Sequence, residues 1–250
     1  MNMVRLKLIL CVGSLLTGLA LLPGCGKNGG VCLSDSGTVS RQRREVGEFD
    51  SIDLADNMNL VLTQDTFSRV EVESGKNLFG GISTTVKNRE LIIRNNNTCN
   101  WVRSYSKPLN VYATVKNLVK IYYNSSGNVS TTNTINSGYL KLDIWGGCGV
   151  LDLDVNVVNG FFILHMGTAT ITLRGICQVS SVYSGDYGLV QLKQLQTGYT
   201  FVTNRGSNDC YVNANHYVEA WINSVGNVYY TGNPPSVTEH ITGTGKLLPF

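Results

Sequence analysis

From residue 49 onward, apolar and polar positions alternate in short runs. Ser51-Ile52-Asp53-Leu54, Asn59-Leu60-Val61-Leu62 and Arg69-Val70-Glu71-Val72-Glu73 each send every second side chain to one face, the period of a half-buried strand. Similar β-branched runs follow at 82–86, 90–94 and 109–115, separated by Gly, Asn and Asp. Lys87-Asn88-Arg89-Glu90, between two such runs, predicts a hairpin turn. No segment beyond the first two dozen residues sustains the 3.6-residue apolar period of an amphipathic helix.

After about residue 120 the alternation becomes a repeat. Gly-centred turns recur at Gly127, Gly149, Gly167, Gly185, Gly206 and Gly226, and their spacing averages 19.8 residues. Each interval carries two or three short strand-like runs. A unit this small exposes an apolar face that only the next unit can cover, so such units stack into a solenoid. Gly and Asn at the turns accept the backbone conformations that sharp corners need. The pattern predicts an all-β chain: right-handed parallel β-helix, or solenoid-like, coils of about 20 residues, preceded by a more irregular antiparallel N-terminal β part. A β-sandwich is the rival architecture. Asn233-Pro234-Pro235 is expected to end the repeat, because proline cannot donate to a further ladder.

Composition sharpens this picture. Residues 121–250 hold only 12 charged side chains, as stacked parallel coils require, since like charges in register ~4.8 Å apart would repel while Asn and Thr ladders can bond. The whole chain is 15% charged, with 27 Gly and 5 Pro, which speaks against disorder. The basic residues form no stripe beyond Arg41-Gln42-Arg43-Arg44, so nucleic-acid binding is not expected; that cluster reads as a solvated lead-in to the fold.

The N-terminus has a different character. Arg5 and Lys7 precede the uncharged run Leu8–Leu22, shorter than the ~18 to 20 residues of a spanning helix and suited to a signal peptide. It ends in Leu22-Pro23-Gly24-Cys25, which resembles a bacterial lipobox. That resemblance implies lipidation at Cys25 and cleavage before it, a membrane anchor, and a place in the cell envelope, most simply the outer membrane, without choosing its periplasmic or surface face. Gly26 to Gly30 reads as a tether. Of the remaining cysteines, Cys32 and Cys99 lie in polar segments and form the favoured disulfide pair in an oxidising compartment. Cys148, Cys177 and Cys210 border strand-like runs and read as small buried hydrophobes.

No cysteine has the tight Cys/His spacing of a metal site or a basic neighbour marking a nucleophile, so neither metal nor cofactor is expected. His165, His216 and His240 are scattered and read as structural or surface residues. With 12 Tyr and 3 Trp, ring stacking on a sugar is the chemistry most open to the chain, and Trp101, Tyr105, Trp145, Tyr187 and Trp221 lead the candidates. Tyr122, Tyr123, Tyr183 and Tyr199 are further ones. A glycosidase would need two facing carboxylates. Asp152 and Asp154 alternate on one run, and Asp143, Asp186 and Asp209 sit in other coils, but the cations a lyase would add are dispersed. No catalytic residue is assigned.

Val46-Gly47-Glu48-Phe49-Asp50-Ser51-Ile52, Asn59-Leu60-Val61-Leu62-Thr63-Gln64 and Gly226-Asn227-Val228-Tyr229-Tyr230-Thr231-Gly232-Asn233-Pro234 together resemble the "putative auto-transporter adhesin, head GIN domain" family of Bacteroidetes lipoproteins. The resemblance spans residues 46 to 247. It implies a β-helix-like adhesin head on an anchored, exported protein, and it carries over no catalytic residues. The expected organisation is a signal peptide (1–24), a tether and N-terminal arm (25–45) and one head domain (46–250), itself divided into an N-terminal β part (46–120), repeat coils (121–235) and a C-terminal cap (236–250). The expected function is a non-catalytic module binding a glycan or an envelope protein. The alternative is a structural or signalling envelope lipoprotein, and behind it a β-helix polysaccharide lyase or hydrolase.

Overall fold

The computed structural model describes residues 35–97 and 108–250. Seventeen strands carry the described chain. The core of the stack is built from β10 (Ile135–Gly147), β11 (Val150–Leu164), β12 (Thr170–Ser184), β13 (Leu189–Asn204) and β14 (Cys210–Ile222). Each pairs with the next in parallel. Most partners in β10 to β12 lie 20 residues apart, as Leu140 with Gly160 and Val150 with Thr170. The architecture is a β-solenoid of about six turns with a mixed N-terminal part.

One turn runs through three arms, visible in β11: Val150–Val155, a short arm near Val155–Val157, and Asn159–Leu164. Alternation along each arm sends one set of side chains inward. Inward positions stack into ladders of like residues. On the first arm the ladder reads Leu60, Val129, Leu151, Ile171, Val190, Cys210 and Val228, every member fully buried. On the third arm it reads Ile52, Ile121, Leu142, Phe162, Val182 and Val202. Burial at about 25 cal/mol per Å² of apolar surface makes these ladders the main source of stability. Cys210 occupies an aliphatic rung, which gives the small-hydrophobe reading of that cysteine its physical form.

The N-terminal part mixes both strand senses rather than being antiparallel throughout. β2 (Ser51–Asp56) and β3 (Asn59–Gln64) form a level of the solenoid. They stack in parallel on β6 (Glu90–Asn95) and β7 (Asn110–Val115) on one side and on β8 (Lys120–Ser125) and β9 (Val129–Thr131) on the other. Antiparallel strands then cover the free edge: β4 (Arg69–Gly75) on β7, β1 (Val39–Arg44) on β4, and β5 (Ile82–Lys87) on β6. A strand laid antiparallel across the end closes an edge that would otherwise template association. Arg41 to Arg44, expected as a solvated lead-in, form most of β1, with outward side chains such as Arg41 reaching Glu71 and Glu73. The β5–β6 hairpin turns where expected, with Asn88 and Arg89 both at positive φ, the geometry of a two-residue primed turn.

At the other end the repeat continues further than the prolines suggest. Pro234 and Pro235 sit in the corner between β15 (Val228–Thr231) and β16 (Ser236–Ile241), where no ladder donor is required. Beyond them β16 stacks in parallel on β14, and β17 (Leu247–Pro249) on β15. Residues 236–250, expected as a cap, thus add strands to the stack.

Candidate functional site

The outward side of the third arm distinguishes itself from the rest of the solenoid. Because each arm alternates and each level repeats in register, outward residues form columns up the stack. One column runs Tyr139, Asn159, Val179, Tyr199, Tyr217. The next runs Lys141, Phe161, Ser181, Phe201, Glu219, and the third Tyr122, Asp143, Ile163, Tyr183, Thr203, Trp221, His240. Tyr139 packs on Phe161 and Phe201 on Tyr217, with ring centroids 5.2 and 5.9 Å apart. The matching outward columns of the first arm are polar at the middle levels, with Asp152, Asp154, Thr172, Arg174 and Gln191, and turn aromatic only at the C-terminal end, where Tyr211 stacks on Tyr229 at 5.0 Å. Rings of this kind present a flat apolar face and a polar edge.

At one end of this surface sits a pinned pair of rings. Trp145 is the extra residue of a β-bulge, since Ile144 pairs with Tyr123 and Gly146 with Asn124; a bulge re-aims the side chain it carries. The indole lies against His165 of the next level, centroids 3.8 Å apart at 20°. Both rings are held by Asp143: Trp145 Nε1 donates to its Oδ1 at 3.1 Å, and His165 Nε2 lies 3.1 Å from the same oxygen. Lys141 Nζ reaches Oδ2 at 2.8 Å. Asp143 is only 6% exposed, and a buried carboxylate is tolerated only when so partnered. Burial by itself would raise its pKa, but the bonds and charge from Lys141 and His165 outweigh it and hold the carboxyl below the usual range.

The other histidines repeat the motif. His216 stacks with Tyr199 (5.6 Å, 15°) and His240 with Trp221 (5.0 Å, 17°), and His240 Nε2 lies 3.1 Å from Glu219 Oε1. The three histidines, scattered in sequence, are therefore each a partner to an aromatic ring one turn away. Their separations of 17 to 20 residues were the available signal: each spacing is close to one period.

Of the rings singled out from the sequence, Trp145 and Trp221 both lie on the third-arm surface, four levels apart. Tyr187 does not: it stands 62% exposed at a corner, where its carbonyl accepts from Asn208. Tyr122, Tyr183 and Tyr199 face outward, whereas Tyr123 is buried and donates to Gly127 O at 2.7 Å. Trp101, Tyr105, Cys25, Cys32 and Cys99 lie outside the described residues.

The carboxylates do not converge. Asp152 and Asp154 share the outer side of the first arm and are bridged by Arg174, Nη1 to the former and Nε to the latter at 2.8 Å. Asp186 and Asp209 accept backbone N–H groups of Gly167 and Asn227 at corners, each at 2.8 Å. Among the described residues no group of three or more His, Cys, Asp or Glu could hold a metal ion, and no helix is long and apolar enough to cross a membrane. Cys177 and Cys210 are buried free thiols, pushed up by desolvation to about 11 and about 12. Cys148, expected as another small buried hydrophobe, is exposed at a corner, where the chain passes between arms rather than into a ladder.

A family model described as "Putative auto-transporter adhesin, head GIN domain" matches residues 48–234. Among curated proteins none matches. Solved structures share the fold. A putative adhesin from Bacteroides fragilis superposes with a TM-score of 0.78 at 20% identity, covering 85% of this chain and 97% of that one. A putative adhesin from Parabacteroides distasonis gives 0.62 at 20% identity, with 86% and 98% covered. A putative lipid binding protein from the same species gives 0.65 at 16% identity, with 86% and 97% covered.

Proposed function

The chain belongs to the head GIN domain family of putative auto-transporter adhesins, and from that premise we propose that it is a non-catalytic, adhesin-like binding module of the cell envelope that engages glycan through the outer side of its third arm. The observation that carries this reading is the set of aromatic columns on that arm, with Trp145 held in place by Asp143. A ring fixed by a bulge, a stacked neighbour and a hydrogen bond loses little conformational freedom on binding, which favours affinity. The names of the solved adhesins from Bacteroides and Parabacteroides support the same class of role. The lipobox-like sequence at Cys25 supports a lipid anchor, which would hold the solenoid at a membrane, most simply the outer one.

The test is binding of the purified full-length chain to a glycan array and to envelope extracts, with and without Trp145→Ala. Glycan retention weakened by that substitution supports the reading. Retention of an envelope protein alone would keep the binding module and overturn the glycan as its ligand. The name of the second Parabacteroides neighbour makes a lipid the competing ligand, so a fluorescent fatty acid belongs in the same experiment. Turnover of an acidic polysaccharide, abolished by Asp152→Asn, would overturn the non-catalytic assignment.

A further inference from the structure

A groove of about 350 Å³ opens where the second arm bends into the third, across the levels of β12, β13 and β14. Its origin is local. Thr197 pairs with Ala214 and Tyr199 with Tyr217, so Asn215 and His216 both oppose the single residue Gly198. The extra residue bulges outward and brings the His216 ring alongside Tyr199. Gly198 leaves the floor open: a Cβ there would stand 2.9 Å from Gln178 O and 3.6 Å from His216 Nδ1.

The lining has a definite chemistry. Tyr199 is 47% exposed and offers a flat ring; Ile176, 52% exposed, adds an apolar side chain to the lining. Gln178, Gln196 and Asn215, three residues with carboxamide side chains, share the lining. None of these three side chains makes a hydrogen bond to another described residue, so their donors and acceptors are available. Among the described residues lining the groove there is no Asp, Glu, Lys or Arg. A charged ligand would find no carboxylate, ammonium or guanidinium there to offset its loss of water, only the imidazole of His216.

We infer that this groove is a subsite for a neutral saccharide ring, with Tyr199 as the stacking platform and Gln178, Gln196 and Asn215 as partners for hydroxyls. A pyranose has what this lining complements: a C–H-rich face to lie on an aromatic ring, and an equatorial rim of groups that both donate and accept. The volume lies at the lower end of ligand pockets, about 300 to 1,000 Å³, which suits one or two rings. The inference rests on the glycan-binding reading above and deepens it.

The test uses the full-length chain in detergent, titrated with soluble oligosaccharides ending in neutral hexose or N-acetylhexosamine and with sialylated and uronate-ended ones. Neutral ligands are expected to bind in preference. Tyr199→Ala should weaken them about tenfold or more, and Tyr199→Phe should restore most of the affinity because the stacking face remains. Gln196→Ala, at an exposed position that cannot endanger the core, should weaken binding several-fold, and Tyr187→Ala should change nothing. Neutral binding that ignores Tyr199 and Gln196 but is lost with Trp145→Ala overturns the groove and leaves the broader reading intact. Binding confined to charged sugars, or a fatty acid bound in a Tyr199-dependent way, also overturns it. Absence of binding to every saccharide withdraws both.

Discussion

The indole of Trp145 and the imidazole of His165 lie face to face, 3.8 Å apart, and both address the same carboxylate oxygen of Asp143. The two residues are 20 positions apart in sequence, one turn of the solenoid, so the stack depends on the register of β10 with β11. The bulge that frees Trp145 from the strand alternation also brings its Nε1 back over Asp143, two residues earlier.

Replacing Asp143 tests that arrangement. Asp143→Ala removes the acceptor for both rings and leaves Lys141 without its partner, so it should cost about 1–3 kcal/mol in urea unfolding. In a background of Trp101→Phe and Trp221→Phe, the remaining emission reports Trp145 alone and should shift towards that of a freely solvated indole. An unchanged midpoint and spectrum would show that the carboxylate does not hold the rings.

The same residue sets an expected pH dependence. A group whose folded pKa is depressed contributes stability above its unfolded pKa, and the contribution disappears as pH falls through the folded value. For Asp143, held low by Lys141 and His165 against the opposing effect of burial, the loss should begin below the ordinary aspartate value of about 3.9. Glu73, lowered by its bonds to Asn110 and Tyr112 despite some desolvation, titrates in the same direction. Unfolding midpoints measured from pH 6 to pH 2 should therefore fall, and Asp143→Asn should flatten part of the slope. A variant with the same pH profile as the parent chain would refute the assignment.

Two glycines of β10 should behave oppositely. Gly147 has φ +88° and a Cβ would stand 1.9 Å from Ser125 O, so Gly147→Ala must strain the backbone and displace the neighbouring level, costing more than about 1 kcal/mol. Gly138 has no heavy atom within 4 Å of such a Cβ, and Gly138→Ala should be neutral or stabilise by up to about 1 kcal/mol through the unfolded chain. Thermal unfolding of the pair checks both signs.

Thiol reactivity should divide the described cysteines by burial. Cys148 is exposed, while Cys177 and Cys210 sit inside the ladders with pKa values pushed up to about 11 and about 12. Alkylation at neutral pH followed by peptide mapping should modify Cys148 in the native protein, and the other two only after denaturation, because the thiolate is the reacting form. Equal labelling of all three would mean that the levels open readily.

The sequence by itself determined the strand period, the stacking of units about 20 residues long, the β5–β6 hairpin and the family. These are local properties: alternation, turn chemistry and self-similarity leave their marks along the chain whatever lies beside it. The continuation past Pro234 and Pro235 was not legible, since whether a proline ends a ladder depends on whether its nitrogen faces a partner strand or a corner. Nor was the threading of β2 and β3 between β6–β7 and β8–β9, because parallel neighbours can be distant in sequence and carry no mark of each other. Only the tertiary structure decided which rings share a surface. A shift of one residue in register reverses every side chain of an arm, and that register placed Tyr123 in the core, Trp145 over His165 and Tyr199 beside a groove floored by Gly198.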